Sequence, residues 1–190
     1  NINKIDFKEN DIIIDCGANL GDLWIFLDHL NIELKYFAFE PGKEEFKALE
    51  YNINNNNSKV HSAAQPIALG NIKTKSDIFY SPQGGDSSLI EISNYEYQYQ
   101  VEVDTMDSFI QSNGLLGKKI KLFKLEAEGF EPEILQGCIN SIKNIEYIAA
   151  DLGPERGWNQ ECTLVEVTNL LQNKGFCLVG FNQSRITALF

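Results

Sequence analysis

The run Asp15-Cys16-Gly17-Ala18-Asn19-Leu20-Gly21 places an acid, an amide side chain and two glycines within seven residues. Gly17 permits a tight turn, and Gly21 lets a following helix begin close to a sheet. Together they open room over a strand end, where a ligand can approach backbone N–H groups. The spacing is G-x-x-x-G, not the G-x-G-x-x-G of dinucleotide folds, which weighs against a nicotinamide cofactor. Asp15, ahead of the first glycine, repels a pyrophosphate but suits an ammonium or hydroxyl group. Glu40 closes the next apolar run, followed by Pro41. An acid at that place accepts hydrogen bonds from ribose hydroxyls. A nucleoside with a cationic amino-acid tail and no phosphate satisfies both acids, and S-adenosylmethionine is that molecule. The plainer reading is a tight strand–helix turn followed by a solvated acid at a helix start.

A second ionisable cluster, Lys124-Leu125-Glu126-Ala127-Glu128, ends a later apolar run and is followed by Gly129 and Glu131. Methyl transfer from a sulfonium is an in-line displacement, so the protein must align an acceptor oxygen and remove its proton. Lys124, Glu126 and Glu128 are the catalytic candidates, with a crowded carboxylate as the base. Glu131 and Glu133 read instead as helix-starting acids. Asp151 and Arg156 flank a Gly-Pro turn after another strand and are candidates for the acceptor pocket. Arg156 suits an anionic substrate group or an ordinary surface ion pair. Trp158 and the alternating Tyr95, Tyr97 and Tyr99 suit stacking on a sugar, or simply one face of a half-buried strand. The acids supply oxygen ligands only, and no metal is expected. The two histidines, His29 and His61, sit in no catalytic setting, and the four cysteines form no C-x-x-C pair. They are expected to be reduced, buried thiols.

These residues need strands and helices to carry them, and the periodicity supplies an alternation. Asp11–Cys16, Tyr36–Glu40, a segment near Val60–Ala64, Lys119–Leu125 and Ile145–Ala150 read as strands. Residues 21–30 predict a helix with Leu23, Trp24, Phe26, Leu27 and Leu30 on one face. Pro41 opens another with Phe46, Leu49 and Ile53, ended by the asparagine cluster 52–57. A third begins at Glu131-Pro132, with Ile134, Leu135, Cys138, Ile139 and Ile142 toward the core. A fourth spans 160–173, with Gly175 as its cap. Phe176–Phe181 and Ile186–Phe190 predict a terminal antiparallel hairpin. Residues 70–110 depart from the alternation, with extended segments at 72–80 and 98–104 separated by a Pro/Gly/Ser loop, 81–88. The expectation is one doubly wound α/β domain over 1–190 with a strand and loop insert around 70–110.

The chain has 190 residues, 43% of them hydrophobic, and carries 16 basic against 27 acidic side chains, a net charge of −11. That charge disfavours nucleic acid, anionic lipid and polyanionic acceptors. No apolar run approaches the ~20 residues of a membrane span, and no signal peptide is visible, so a cytoplasmic location is expected. The edge of the terminal hairpin is a candidate for pairing between subunits in a homo-oligomer.

The segments DIIIDCGANLGDLWIFL, YFAFEPGKEEFKALEYNI, ALGN, VEVDTMDSFI and KLFKLEAEGFEPEILQG occur in the order found in FkbM-type methyltransferases. The chain resembles that family from about residue 11 to 180. The resemblance implies a class I, Rossmann-like methyltransferase fold with a seven-stranded, mostly parallel sheet and helices on both faces. It implies S-adenosylmethionine as methyl donor, S-adenosylhomocysteine as product, and O-methylation of a small metabolite or a sugar unit. By the resemblance, Asp15, Gly17, Ala18, Asn19 and Gly21 line the methionine end of the cofactor. Glu40 and Pro41 stand at the ribose, and Ala68 and Leu69 flank the adenine. Ser87 and Ser88 match a small polar pair near the acceptor. The family motif K-x-D-x-E-G-x-E aligns with Lys124 to Glu131, with Glu126 in place of the aspartate. That substitution adds a methylene and shifts the carboxylate. A protein that binds the cofactor without catalysing transfer is the non-enzymatic alternative.

Overall fold

The computed structural model describes residues 2–54, 58–81, 86–93 and 95–190. A strand–helix alternation opens the chain: β1 (Asp11–Cys16), α1 (Asp22–Asp28), β2 (Leu34–Phe39), α2 (Lys43–Asn54) and β3 (Val60–Gln65). Four strands follow: β4 (Ala68–Leu69), β5 (Thr74–Ser81), β6 (Asp86–Ser88) and β7 (Tyr97–Asp104). Then come α3 (Met106–Ser112), β8 (Ile120–Leu125), α4 (Glu131–Gln136) and β9 (Ile145–Asp151). The chain closes with β10 (Pro154–Arg156), β11 (Glu161–Cys162), α5 (Leu164–Asn173), β12 (Gly180–Asn182) and β13 (Thr187–Leu189).

Seven strands form the main sheet in the order β12-β13-β9-β8-β1-β2-β3. β3, β2, β1, β8 and β9 run parallel, and β13 is antiparallel to both of its neighbours. Burial on both faces explains why β1 reads as an unbroken apolar run. Ile12, Ile14 and Cys16 pack with Met106, Phe109, Ile134 and Leu171, beneath α3, α4 and α5. Ile13, between them, points the other way onto Leu23, Trp24, Leu27, Leu49 and Ile53 of α1 and α2. Strand order reverses beside β1, so the carboxyl ends of β1, β2 and β8 border an open crevice.

The stretch predicted as an insert forms a second sheet, β4-β7-β5-β6, around Ala68, Ile78, Val101 and Val103. Residues 82–85 of the expected loop lie outside the described residues, and Asp86–Ser88 is strand instead of loop. Residues 55–57 of the asparagine cluster are likewise outside, while α2 runs through Asn54.

Several local expectations differ from the structure. Helix α3 was not anticipated. Thr105 caps it by accepting from the Ser108 N–H, and Met106, Phe109 and Ile110 are buried beneath it. The hairpin β10–β11 was also unforeseen. Phe26 and Ile139 are exposed instead of facing the core, as are Cys162 and Cys177 among the cysteines. The last hairpin is shorter than expected, because 176–179 is not strand. α5 ends as anticipated at Gly175, where the Gly175 and Phe176 N–H groups donate to the Gln172 and Leu171 carbonyls.

The turn leaving β1 is built by close backbone approach. Gly17 has φ 74, and a Cβ there would stand 1.8 Å from the Glu126 carbonyl oxygen. Gly117 has a similar φ of 71 with nothing within 4 Å of its would-be Cβ. Gly117→Ala is therefore expected to cost only the left-handed backbone penalty, about 1–2 kcal/mol. Gly17→Ala adds a collision and should cost about 2–5 kcal/mol in urea unfolding. Equal losses would mean that the β1 turn does not press on β8.

Candidate active site

The crevice over β1, β2 and β8 takes in about 880 Å³, open solvent included. Gly17, Ala18, Asn19, Glu40, Pro41, Ala68, Leu69, Ser87, Lys124, Glu126 and Glu128 all line it. Eleven residues chosen from the sequence therefore meet in one crevice at the strand ends. The lining also includes Asp22, Glu45, Ile78, Leu89 and Phe130, which were not singled out. Glu45, Ile78 and Leu89 become neighbours of the site only when the small sheet and α2 fold over the main-sheet ends, whereas Asp22 and Phe130 directly follow the motifs at 15–21 and 124–129.

Beneath the crevice lies a buried charge network. In the sheet register Asp15 stands beside Lys124. Lys124 Nζ approaches Asp15 Oδ1 at 3.1 Å and Glu126 Oε2 at 2.8 Å, and donates to the Gly17 carbonyl at 2.7 Å. The Asp15 contact has the distance of an ion pair without hydrogen-bond alignment. Tyr36 donates its hydroxyl to Asp15 Oδ2 at 2.5 Å. Burial alone would pull the lysine down, but the two carboxylates outweigh it and hold Lys124 above its ordinary value. Asp15 has no exposed surface and lies under the loop instead of lining the crevice. Gly21 too lies outside the lining.

The loop spends its donors inside the protein. Gly17 and Ala18 N–H groups donate to the Phe39 carbonyl, Gly21 N–H to Ala18, and Asn19 N–H to Glu40 Oε2 at 2.7 Å. Those four N–H groups are not aimed at a ligand, contrary to the simple reading of a glycine loop. Glu40, at the end of β2, also accepts from Gly42 N–H at 2.7 Å. Burial pushes Glu40 up to about 7, and the two N–H bonds offset only part of that rise. Close by, Glu45 accepts from the Tyr80 hydroxyl on Oε1, while its Oε2 is buried with no hydrogen-bond partner among the described residues.

The segment after β8 is tied down by Glu131. Its Oε1 accepts from the Ala127 and Gly129 N–H groups, and Thr163 donates to Oε2. Desolvation raises this carboxyl even though those bonds oppose it. The bonds hold Glu128 at φ 49, with its carbonyl accepting from the Ser88 hydroxyl. Gly129 is needed because a Cβ would meet Arg156 Cα at 2.5 Å. The Arg156 guanidinium forks onto Glu133, at 2.6 and 3.0 Å, and onto the Gly129 carbonyl. It thus clasps β10 to α4 and lies outside the crevice lining. Asp151 lies outside it as well, 3.8 Å from Arg185. Ser88 faces a neighbouring pocket. Trp158 is exposed, and Tyr97 stacks between Tyr80 and Tyr99. No group of three or more His, Cys, Asp or Glu residues is placed to hold a metal ion among the described residues. No helix among them is long and apolar enough to cross a membrane.

The description of the FkbM methyltransferase domain matches residues 15–178. The chain belongs to the FkbM methyltransferase family. Hexuronic acid methyltransferase AglP of Haloferax volcanii is 21% identical over 145 residues, 76% of this chain and 57% of that protein. Methyltransferase 1 of Beauveria bassiana is 22% identical over 192 residues, 90% of this chain and 74% of that protein. Among solved structures, the FkbM methyltransferase of Methylobacillus flagellatus superposes with a TM-score of 0.67 at 16% identity. It covers 97% of this chain and 44% of its own. A SAM-dependent methyltransferase of Aquifex aeolicus gives a TM-score of 0.57 at 12% identity, covering 99% and 86%. The chain thus spans little more than half of the Haloferax relative and under half of the Methylobacillus protein.

In this FkbM domain the Asp15–Lys124–Glu126 network is the floor of the crevice. Lys124→Met would leave Asp15 buried without its cation and is expected to cost about 3–5 kcal/mol in denaturant unfolding. Adding Asp15→Asn should recover part of that loss. A double variant as unstable as the two single losses summed would show that the two residues are not coupled.

Proposed function

We propose that this FkbM domain, one unit over residues 1–190, is an S-adenosylmethionine-dependent O-methyltransferase acting on a hydroxyl of a small metabolite or sugar unit. The observation that carries the reading is the meeting of Glu40 and the Lys124–Glu126–Glu128 segment in one crevice at the strand ends. The name of the Haloferax relative supports a sugar as the acceptor. The donor set fits the cofactor. Glu40 and the unpartnered Oε2 of Glu45 offer acceptors to ribose hydroxyls or an adenine amine, and Leu69, Ile78 and Phe130 offer apolar walls to a flat base. Asp15, Gly17, Ala18, Asn19, Gly21 and Pro41 form or support the methionine and ribose end, and Ala68 with Leu69 the adenine end.

When bound, S-adenosylmethionine supplies an electrophilic methyl group on a sulfonium. The protein's own part is to seat the acceptor oxygen in line and take its proton. Lys124, held cationic by its two carboxylates, fixes Glu126 at the crevice floor. Glu126 and Glu128 divide the acceptor work, one receiving the hydroxyl proton and the other orienting the ring. Ser87 adds a hydroxyl to the acceptor side, while Ser88 supports it from behind through its bond to the Glu128 carbonyl.

Glu40 gives the reading a pH signature. A ribose diol donates to the ionised carboxylate, and Glu40 ionises near 7 in the folded chain. Affinity for S-adenosylhomocysteine should therefore rise through pH 6 to 7 by up to tenfold per unit and level off above. In the ligand-free chain the sign is opposite. The folded state keeps a proton that the unfolded state has lost, so this group's contribution to stability falls between about 4.5 and 7. Calorimetry across that range checks the binding arm, and Glu40→Gln should both weaken binding and flatten the profile. A folded wild type that binds NAD⁺ but not S-adenosylhomocysteine would sink the reading.

For the acceptor side, Glu126→Gln and Glu128→Gln are the pair to compare. The variant lacking the base should lose about 10²–10⁴ in kcat with S-adenosylhomocysteine affinity unchanged. Undiminished turnover in both would mean that neither carboxylate is the base. Cofactor binding without transfer to any acceptor would point to a binding protein.

A further inference from the structure

Glu45 stands in the first turn of α2 and belongs to the crevice lining. Its Oε1 accepts from the Tyr80 hydroxyl at 3.3 Å, and its Oε2 is buried with no hydrogen-bond partner among the described residues. A buried carboxylate oxygen without a donor is costly, so a ligand that brings one gains affinity there. The position of that oxygen narrows the choice of donor. A Cβ at Gly42 would collide with Glu45 Oε2 and stand 2.9 Å from Glu40 Oε1. The two carboxylates thus converge on one spot, which the glycine leaves open. A vicinal diol carries two O–H donors on adjacent carbons, one for each carboxylate.

The small sheet holds Glu45 in place. Tyr80 of β5 stacks on Tyr97 of β7, and Tyr97 on Tyr99, with ring centroids 4.9 and 6.1 Å apart. Both ends of this row reach the start of α2. The Tyr80 hydroxyl meets Glu45, and the Tyr99 hydroxyl accepts from the Lys43 N–H at 3.2 Å. Lys43 Nζ lies over the Tyr99 ring, 4.2 Å from its centroid. The first turn of α2 is therefore braced at two residues. The last torsion of a glutamate is broad and two-fold, which lets Oε2 meet an incoming hydroxyl while Oε1 stays with Tyr80.

Resting on the methyltransferase reading above, we propose that Glu45 is a second ribose-binding acid, which takes one hydroxyl of the cofactor's ribose diol while Glu40 takes the other, and that Tyr80 positions it. The small sheet then takes part in recognising the cofactor. Two carboxylates at the diol also exclude a ribose that carries a phosphate there.

Calorimetry on the full chain tests this with S-adenosylhomocysteine, adenosine, 2′-deoxyadenosine, 3′-deoxyadenosine and purine riboside, which lacks the exocyclic amine. In the wild type both deoxynucleosides should bind about tenfold or more weakly than adenosine. Glu45→Ala keeps a good helix former in α2. It should weaken S-adenosylhomocysteine, adenosine and purine riboside by about 10–100-fold and leave one of the two deoxynucleosides unaffected. Glu45→Gln, which keeps an acceptor but not the charge, should fall between. Tyr80→Phe should weaken adenosine by about two- to fivefold, and that loss should vanish in the Glu45→Ala background, as a merely structural role of Tyr80 would not. Unchanged adenosine affinity in folded Glu45→Ala and Glu45→Gln, or equal losses for all the ligands, overturns the proposal. A loss that spares only purine riboside overturns it too, by assigning Glu45 to the amine. If the nucleosides follow the expected pattern but S-adenosylhomocysteine does not bind, the methyltransferase reading falls and the two-acid cradle stands. If the folded wild type binds none of the ligands, both fall.

Discussion

A lysine ammonium buried beneath a sheet end must be surrounded by acceptors, and the arrangement around Lys124 follows from that requirement. Its partners come from two segments, one its own and the other far away in sequence. Asp15, next to last in β1, and Gly17, which begins the turn, belong to the distant segment, and Glu126 follows β8. Satisfying the cation therefore pins the β1 turn against the segment after β8. The turn must then be glycine, because the Glu126 carbonyl occupies the place of a side chain at Gly17. The same turn sends the Asn19 N–H to Glu40, so the acid of β2 is positioned by the loop of β1. Isolated buried ions are costly, and this one is tolerable because two carboxylates and a carbonyl surround it.

A second buried carboxylate does comparable work on the acceptor side. Glu131 gathers the Ala127 and Gly129 N–H groups and the Thr163 hydroxyl, so the segment that carries Glu126 and Glu128 is held at both ends. Arg156 clasps the adjoining hairpin to the same place through Glu133 and Gly129. The acids beside the crevice thus fall into two sorts. Asp15, Glu131 and Glu133 lie outside the crevice lining, whereas Asp22, Glu40, Glu45, Glu126 and Glu128 line it.

The parts of this architecture that were legible in the sequence share a physical cause. β1 is buried on both faces, which forces a continuous apolar run, and β2, β8 and β9 are apolar except at Lys35, Lys121, Lys124, Glu146 and the closing Asp151, so such segments stand out. Helix α3 escaped because seven residues yield barely two turns of periodicity, although the Thr105 cap three residues before Ser108 was a usable sign. β10 and β11 are too short to carry a pattern, and their place depends on Arg156 reaching Glu133. Phe26 and Ile139 were assigned to the core because a helical face drawn from spacing is wider than the face the sheet covers. Phe26 instead lies against Phe7 at the surface, edge to face.

The division for the site runs along the same line. Sequence alone determined the strand-end positions of Asp15, Glu40 and the 124–128 acids, because strand ends are marked locally by where apolar runs stop. It also determined the FkbM resemblance, because that rests on ordered local motifs. Only the tertiary structure decided that Asp15 lies under the loop as a lysine's counter-ion, that the loop's N–H groups are already engaged, and that Arg156 is a clasp. It alone brought Glu45 and Ile78 into the crevice. Those outcomes depend on which strands become neighbours and on where a buried charge finds its partner. Both are contacts between segments tens of residues apart, and no local spacing encodes them.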